Sequence, residues 1–368
     1  MQLLFYISGH GYGHATRSSE VLREIARQQP DWRLHVRSNV PERLFAGIDR
    51  LTFHRLPESL DPGVVEDADS LGIDVAATLD EIERYHRRRL QIIDTEVAWV
   101  RSQKIALIVA DFPPLAGEIA AVCGVPCVGV GNFTWDWIYE PLFEHDERQF
   151  LQAWLRGGYR KMHCWLKLPF SHEENGDVFP RVVDVPLVAR RPRRPAAAVL
   201  EQLGIDAGDL RPRVVLAMRG RIPPAARDAA VKGNQDLLFL HFDAADTGQP
   251  NEIGVTLSVD LAFPDVLNVA DVVVSKFGYG MVSECIAARK RLLCPPRLNF
   301  REDEIFAGEA PAQLRLKMIS QADFRAGRWS QPLRWLLDQP VLESTLPIDG
   351  AAVCAREIAR IAASHVPA

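Results

Sequence analysis

The sequence predicts an α/β protein built from two doubly wound, Rossmann-like domains. Continuous apolar runs alternate with helical patterns along the chain, which is typical of parallel sheets covered on both faces. The alternation stops at a stretch rich in Pro and Arg, residues 189–195, and then resumes. The 368 residues also suffice for two domains of roughly 100–200 residues each.

The composition is that of a globular protein. Charged residues make up 25% of the chain and hydrophobic residues 47%, which excludes disorder and coiled coil as the main state. No apolar run reaches the ~18 residues that span a bilayer, and the apolar start, residues 1–7, lacks the basic flank of a signal peptide. The six cysteines have no metal-binding spacing, so we expect free thiols and a cytoplasmic protein. The net charge of -5 argues against nucleic acid as the main partner.

In the first domain, predicted as residues 1–188, strands and helices alternate from the N-terminus. Apolar runs predict strands at residues 3–8, 33–38, 105–110 and 125–130. Amphipathic patterns predict helices at residues 16–28, 79–101 and 114–123. Residues 189–195 then predict a linker, because two prolines among arginines cannot continue a helix. The alternative for its basic run is an anion-binding segment.

The second domain, predicted as residues 196–348, repeats this texture. The predicted strands are 213–218, 236–242, 254–259, 271–275 and 292–295, and the predicted helices are 263–268 and 280–288. An Ala-rich helix within residues 349–368 is expected to pack back on the first domain. Because parallel sheets bind ligands at the carboxyl ends of their strands, we expect the domains to face each other across a cleft.

A glycine-rich loop, residues 9–17 (GHGYGHATR), follows the first predicted strand and opens the first helix. Its alternating glycines allow a tight turn, and the helix start offers free N–H groups to an anion. The spacing is not that of the dinucleotide-binding fingerprint. His14 is therefore a candidate functional residue, the alternative being a helix-start histidine that binds nothing.

Asp111 follows a buried predicted strand and precedes two prolines. It is expected either to orient His14 by a hydrogen bond or to cap the helix that begins near Pro114, and the two roles are compatible. Residues 131–139 (GNFTWDWIY) follow the next strand. Their aromatic and amide side chains suit a sugar site, the alternative being a packed corner.

In the second domain, residues 275–284 (SKFGYGMVSE) form another strand-to-helix turn. Lys276, Ser283 and the glycines suit a diphosphate, and Glu284 suits ribose hydroxyls. The alternative is ordinary polarity in a first helical turn. The acidic cluster at residues 300–304 (FREDE) suits sugar hydroxyls or forms a solvated loop.

Four stretches resemble the GT-B glycosyltransferase superfamily, and most closely the glycosyltransferase-like N-terminal region of plant L-arabinokinases. They are GHGYGHATR at 9–17, NFTWDWIY at 132–139, DVPLVARR at 184–191 and GYGMVSE at 278–284. The likeness to the enzyme that adds N-acetylglucosamine to the peptidoglycan lipid intermediate is more distant. There, Gly13-His14 matches part of a Gly-Gly-His, and Glu284 matches a ribose-binding Glu. The resemblance does not extend to a sugar kinase, so sugar phosphorylation is not implied.

The resemblance implies a GT-B fold in which the second domain binds a nucleotide-diphosphate sugar, most fittingly of UDP type, and the first binds the acceptor. The donor-binding candidates are Lys276, Gly278, Tyr279, Gly280, Ser283, Glu284, Glu302, Asp303, Arg219 and Arg221. The acceptor-binding candidates are His10, Gly11, Gly13, Arg17, Asn132, Trp135 and Asp136. One departure is the loop Arg219-Gly220-Arg221, where relatives carry Gly-Gly, so the arginines either reinforce or block the phosphate contacts.

The expected reaction is an inverting glycosyl transfer in which His14 is the base and Asp111 orients it. The helix start at Gly280 and Lys276 would stabilise the leaving diphosphate without a metal or cofactor. Asp67-Ala68-Asp69 has the letters of a metal-binding D-x-D, but we expect a loop far from any strand end. The alternatives are a nucleotide-sugar 2-epimerase and a non-catalytic nucleotide or sugar sensor. The sequence names neither the sugar, the base, the acceptor nor the oligomeric state.

Overall fold

The computed structural model describes residues 1–144, 146–173, 178–218, 220–243 and 248–365. The chain divides into two compact units. Unit 1 comprises Met1–Val65, Asp74–Ala189 and Pro347–Ala368, and unit 2 comprises Glu66–Ile73 and Arg190–Leu346. Each unit contains a parallel sheet with helices, which confirms the predicted α/β class.

The strands of unit 1 begin directly at the N-terminus. They are β1 (Gln2–Ile7), β2 (Arg33–Ser38), β3 (Leu51–Arg55), β4 (Leu107–Asp111), β5 (Cys127–Gly131), β6 (Cys164–Lys167) and β7 (Val182–Asp184). They pair in the order β3-β2-β1-β4-β5-β6-β7. Strands β1 and β4 are neighbours, with Ile7 in register with Asp111. The segments that follow these two strands therefore leave the sheet side by side.

The helices of unit 1 cover this sheet. They are α1 (Gly13–Gln28), α2 (Val75–Ser102), α3 (Leu115–Cys123), α4 (Trp135–Tyr139) and α5 (Phe150–Tyr159). Helix α2 begins where Asp74 Oδ1 accepts a hydrogen bond from the N–H of Ala77 at 2.9 Å. Helix α1 begins at Gly13, earlier than the predicted residue 16, so His14 lies in its first turn.

Unit 2 has its own parallel sheet. Its strands are β8 (Arg213–Leu216), β9 (Leu238–His241), β10 (Glu252–Gly254), β11 (Val272–Val274), β12 (Arg291–Cys294) and β13 (Leu316–Met318). They pair in the order β10-β9-β8-β11-β12-β13. Strand β11 thus lies between β8 and β12, and the loops that follow these three strands are neighbours.

The helices that follow in the chain are α6 (Ala196–Gln202), α7 (Pro224–Lys232), α8 (Phe263–Asn268), α9 (Tyr279–Ala287), α10 (Glu302–Glu309), α11 (Gln321–Arg325) and α12 (Ser330–Asp338). The last helix, α13 (Gly350–His365), belongs to unit 1 and packs against α1. Its first residue lies close to the backbone of Pro186, since a Cβ on Gly350 would collide with that carbonyl. The backbone of Leu187 holds the same end through hydrogen bonds with Pro347 and Gly350.

Residues 189–195, predicted as a linker, are anchored within unit 2 from Arg190 onward. Asp265 Oδ1 accepts hydrogen bonds from the N–H groups of Arg193 and Arg194 at 2.6 and 3.0 Å. The same carboxylate accepts from the N–H of Ala262 at the start of α8. One buried aspartate therefore joins this stretch to the start of a helix.

Free thiols, predicted from the cysteine spacing, are confirmed, since all six cysteines are free. Burial raises the pKa of the Cys164 thiol to about 12. Among the described residues, no helix is long and apolar enough to cross a membrane. The described part of the chain also holds no group of three or more His, Cys, Asp or Glu side chains arranged to bind a metal ion.

Candidate active site

The side chains of His14 and Asp111 meet where β1 and β4 end. His14 Nδ1 lies 2.8 Å from Asp111 Oδ1. The Asp111 side chain is fully buried, and that of His14 is 8% exposed. Because a carboxylate only accepts, the His14 tautomer with its proton on Nδ1 donates to Asp111 and leaves Nε2 to take a proton from another group. This is the geometry that a general base requires.

Arg17 and Ser18 complete the surroundings of Asp111. Arg17 donates from Nε to Oδ2 at 2.8 Å and from Nη2 to Oδ1 at 2.5 Å. The Ser18 hydroxyl donates to Oδ2 at 2.6 Å. Burial alone would raise the pKa of Asp111. The charges and hydrogen bonds of Arg17 and His14 together outweigh burial and lower the pKa to about 2. Asp111 is therefore a carboxylate at any working pH.

The alternative role of Asp111 as a helix cap is not what the structure shows. Helix α3 has Pro114 as its N-cap, and no side chain caps it. Asp111 is also the last residue of β4, so this strand ends one residue later than predicted, and Asp111 pairs in register with Ile7. Its carboxylate instead contacts three side chains of α1, those of His14, Arg17 and Ser18.

Arg17 was predicted to bind the acceptor, and the structure places it inside unit 1. The residue is 4% exposed. Besides Asp111, its Nη1 donates to Asn132 Oδ1 at 2.7 Å, and its Nη2 lies 2.9 Å from His14 Nδ1. Asn132 is itself fully buried and donates to the carbonyl of Phe170. Through these contacts Arg17 and Asn132 help to hold His14 and Asp111 in place.

A second histidine–aspartate pair joins the glycine loop to residues that the sequence did not single out. His10 Nε2 lies 3.2 Å from Oδ1 of the buried Asp61. Trp135 Nε1 also donates to Asp61, at 3.1 Å. Burial alone would raise the pKa of Asp61, but the hydrogen bond and charge of His10 produce a net lowering. The sequence signal that could have found Asp61 is its position directly before Pro62-Gly63. Gly63 packs so closely on His10 that a Cβ at this position would overlap the ring.

Aromatic side chains pack against both His14 and His10. The rings of His14 and Phe133 meet edge to face with centroids 5.8 Å apart, and His10 meets Trp135 in the same way at 5.8 Å. Tyr12, at the tip of the loop, is 53% exposed. Gly11 beside it has a φ of 78°, a left-handed conformation that favours glycine. The exposed ring of Tyr12 suits a ligand with an apolar face.

Trp135 and Asp136 are turned inward, away from solvent. Trp135 is 1% exposed and stacks on Tyr139 with centroids 5.3 Å apart. Asp136 is 4% exposed and accepts from Arg156 Nε at 3.0 Å. The structure thus places both predicted acceptor residues in the packed corner that was the alternative interpretation, while their acceptor roles stay predictions.

In unit 2, helix α9 begins directly after the β11 loop, with Gly278 as its N-cap and no side-chain cap. The first N–H groups of α9 can therefore donate hydrogen bonds to an anion. Gly280 lies in the first turn, and its carbonyl accepts from the Ser283 hydroxyl at 3.1 Å. Tyr279 is 3% exposed.

The predicted donor cations are already paired. Lys276 Nζ lies 2.6 Å from Glu66 Oε1, and Arg221 Nη1 donates to the carbonyl of Ala68 at 2.9 Å. Asp67-Ala68-Asp69 was predicted to lie far from any strand end, but it contacts Arg221, which follows β8, and Arg325 at the end of α11. Arg219 lies outside the described residues.

Glu284, the candidate for ribose, is clamped by Arg190. Arg190 Nε and Nη2 donate to Glu284 Oε1 and Oε2 at 2.5 and 3.1 Å. The Glu284 side chain is 4% exposed. Two parallel hydrogen bonds fix the plane of the carboxylate and leave its other lone pairs for a ligand. Arg190 is thus a residue of this site that sequence reasoning missed.

Glu302 and Asp303 share the buried Arg297. Arg297 Nη2 lies 2.5 Å from Asp303 Oδ1 and 3.1 Å from Glu302 Oε2. Burial raises the pKa of Asp303 even though Arg297 opposes the shift. The guanidinium also lies 3.8 Å from the ring centre of Phe300. The predicted sugar-binding acids are therefore parts of a buried ion cluster at the start of α10.

Comparison with known proteins adds one relative in sequence. The chain is 31% identical over 341 residues to an L-arabinokinase of Arabidopsis thaliana. The match covers 89% of this chain but only 31% of that protein, so the chain spans about a third of its relative's length. No family model matches the chain.

Solved structures with the same architecture cover nearly the whole chain. The glycotransferase of kitacinnamycin matches with a TM-score of 0.62 and 15% identity, over 99% of this chain and 95% of that one. The glycosyltransferase VinC in complex with dTDP matches with 0.59 and 18%, over 99% and 96%. A putative UDP-N-acetylglucosamine 2-epimerase from Listeria monocytogenes matches with 0.56 and 11%, over 99% and 96%. The chain therefore has the fold of the GT-B glycosyltransferases, as its sequence motifs predicted.

Proposed function

We propose that this chain is an inverting glycosyltransferase that moves a sugar from a nucleoside diphosphate sugar, of UDP type, to an acceptor hydroxyl. The observation that carries the proposal is the 2.8 Å contact between His14 and the buried carboxylate of Asp111 at the carboxyl end of the unit 1 sheet. The glycosyltransferases among the solved structures support the same class of reaction.

In the proposed reaction, Nε2 of His14 removes the proton from the acceptor hydroxyl. The resulting oxygen attacks the anomeric carbon and inverts it, and the bond from that carbon to the diphosphate oxygen breaks. The nucleoside diphosphate leaves with the electron pair of that bond. Asp111 stabilises the imidazolium that forms on His14, as the carboxylate of a catalytic triad does.

The charge of the leaving diphosphate is met in unit 2. The start of α9 offers N–H groups, and Lys276 and Arg221 follow the neighbouring strands β11 and β8. Glu284, held by Arg190, accepts from the ribose hydroxyls. In this scheme positive charge and N–H groups supply the electrostatic stabilisation that a metal ion supplies elsewhere.

The experiment that tests the proposal is a transfer assay with UDP- and dTDP-sugars against a panel of hydroxyl acceptors, comparing the wild-type protein with His14→Ala. The matched control is His86→Ala, since His86 lies on α2 and contacts the rings of Phe150 and Trp154 instead. We expect a nucleoside diphosphate and an inverted glycoside as products. Full turnover by His14→Ala would contradict the assigned base.

A second candidate is a nucleotide-sugar 2-epimerase, favoured by the neighbouring epimerase structure. Incubation with the nucleotide sugar alone separates the two functions. An epimerase converts the sugar while it remains attached to the nucleotide or is released from it, whereas the proposed transferase waits for an acceptor. Binding without any turnover across all acceptors would favour the sensor.

A further inference from the structure

A short segment, Glu66–Ile73, belongs to unit 2, although the chain on either side of it belongs to unit 1. We call it the strap. It closes on itself through an antiparallel bridge between Glu66 and Ile73. Leu71 is fully buried in the core of unit 2, together with residues such as Val214 and Val274. The strap is therefore fixed to unit 2 by apolar packing as well as by polar contacts.

The strap runs along the carboxyl ends of the unit 2 strands. After β8, Arg221 donates to the carbonyl of Ala68 at 2.9 Å. After β12, the N–H of Leu298 donates to the carbonyl of Leu71 at 2.9 Å. Next to β13, Gln321 Nε2 donates to the same carbonyl at 2.6 Å. This edge of a parallel sheet is where open α/β folds bind their ligands.

The strap also carries negative charge into this edge. Glu66 Oε1 lies 2.6 Å from Lys276 Nζ, and Asp69 Oδ2 lies 2.7 Å from Arg325 Nε. Lys276 and Glu66 are both about three-quarters shielded from solvent, with side chains 27% and 30% exposed. The Glu66 carboxylate therefore forms with Lys276 the ion pair that a phosphate oxygen of a ligand would otherwise form.

The charges around Lys276 favour this pairing. Burial and the nearby Arg297 charge lower the pKa of Lys276, while Glu66 opposes the shift. Burial alone would raise the pKa of Glu66, yet Lys276 brings it below its usual range. An ammonium in such a place needs an anionic partner, and an anion that enters can replace the carboxylate.

Resting on the proposed function, we infer that Glu66 is an internal competitor of the donor: its carboxylate occupies Lys276 until the diphosphate of a nucleotide sugar displaces it. The strap thus makes donor binding an exchange of one anion for another. Binding is weaker than the cations alone would allow, and Lys276 is kept paired when no donor is present.

The test measures the Kd of UDP by calorimetry at low salt for the wild type, Glu66→Gln and Asp69→Asn. The two variants remove one charge each from the same strap, but only Glu66 contacts Lys276. We expect Glu66→Gln to bind UDP about five- to tenfold more tightly, in the range of ordinary coupling between sites. Asp69→Asn should stay close to the wild type, and Glu66→Asp, which keeps the charge but shortens the side chain, should fall between.

Lys276→Gln provides the second arm. In that background Glu66→Gln should no longer improve UDP binding, because the cation for which the two anions compete is gone. Melting temperatures identify any variant that fails to fold. The inference is overturned if the wild type binds UDP and Glu66→Gln binds no better, or if Asp69→Asn gives the same gain. Absence of UDP and dTDP binding in every folded protein would instead overturn the proposed function.

Discussion

His14 Nδ1 lies 2.8 Å from Asp111 Oδ1, although the two residues are 97 positions apart in the sequence. The pairing of β1 with β4 brings them together, since Asp111 ends β4 and His14 lies in the helix that follows the same end of β1. We expect His14→Ala to lower the turnover number by about 10²–10⁴, the usual contribution of a general base. Initial rates at saturating donor and acceptor measure this loss. A rise in the acceptor KM with an unchanged turnover number would mean that His14 only binds the acceptor.

Arg17 is expected to stabilise the fold through its contacts with Asp111. Arg17→Gln leaves a buried carboxylate without its cation, which costs about 3–5 kcal/mol of the free energy of unfolding. Urea denaturation measures the change. The matched control is Arg27→Gln on the same helix, because that side chain is 69% exposed and its loss should cost less than about 0.5 kcal/mol. Equal costs for the two variants would contradict the buried network.

Arg190 is expected to act on nucleotide binding through Glu284. Arg190→Gln frees the carboxylate to turn, so the affinity for UDP should fall. In a Glu284→Gln background the same change should have much less effect, giving a coupling of about 0.5–3 kcal/mol in a double-mutant cycle. Arg191→Gln, at the exposed neighbouring position, should leave the affinity unchanged. Additive effects of the two changes would mean that Arg190 does not position Glu284.

Stability is expected to fall in mildly acidic solution because of His35 and His54. His35 Nδ1 lies 3.1 Å from His54 Nε2, and burial lowers the pKa of both rings. Below about pH 6.5 these two histidines are protonated in the unfolded chain but still neutral in the folded protein. The free energy of unfolding therefore decreases as the pH falls. Denaturation at a series of pH values should show a shallower slope for His54→Gln. Parallel curves for wild type and variant would contradict this origin.

Turnover is expected to persist in excess EDTA, because in the proposed mechanism Lys276 and the start of α9 stabilise the leaving diphosphate. The measurement compares initial rates of the transfer reaction before and after dialysis against the chelator, with re-addition of Mg²⁺ as the control. A strict requirement for a divalent cation would contradict the metal-independent mechanism.

Much of the fold follows from local sequence patterns. The buried strands β1, β4 and β5 are continuous apolar runs, so their positions were predicted to within about two residues. Strands β3, β6, β7 and β13 were not predicted, because short strands carry little periodicity of their own and form through pairing with a neighbour.

The sequence by itself determined the α/β class and the candidate site residues near the strand ends, such as His14, Asp111 and Lys276, because strands, helix starts and glycine turns are local events. Only the tertiary structure decided which charges meet. Arg190 and Glu66 pair with Glu284 and Lys276 over separations of 94 and 210 residues. Sheet order and burial select such pairs, and a buried charge accepts whichever partner the fold brings within reach.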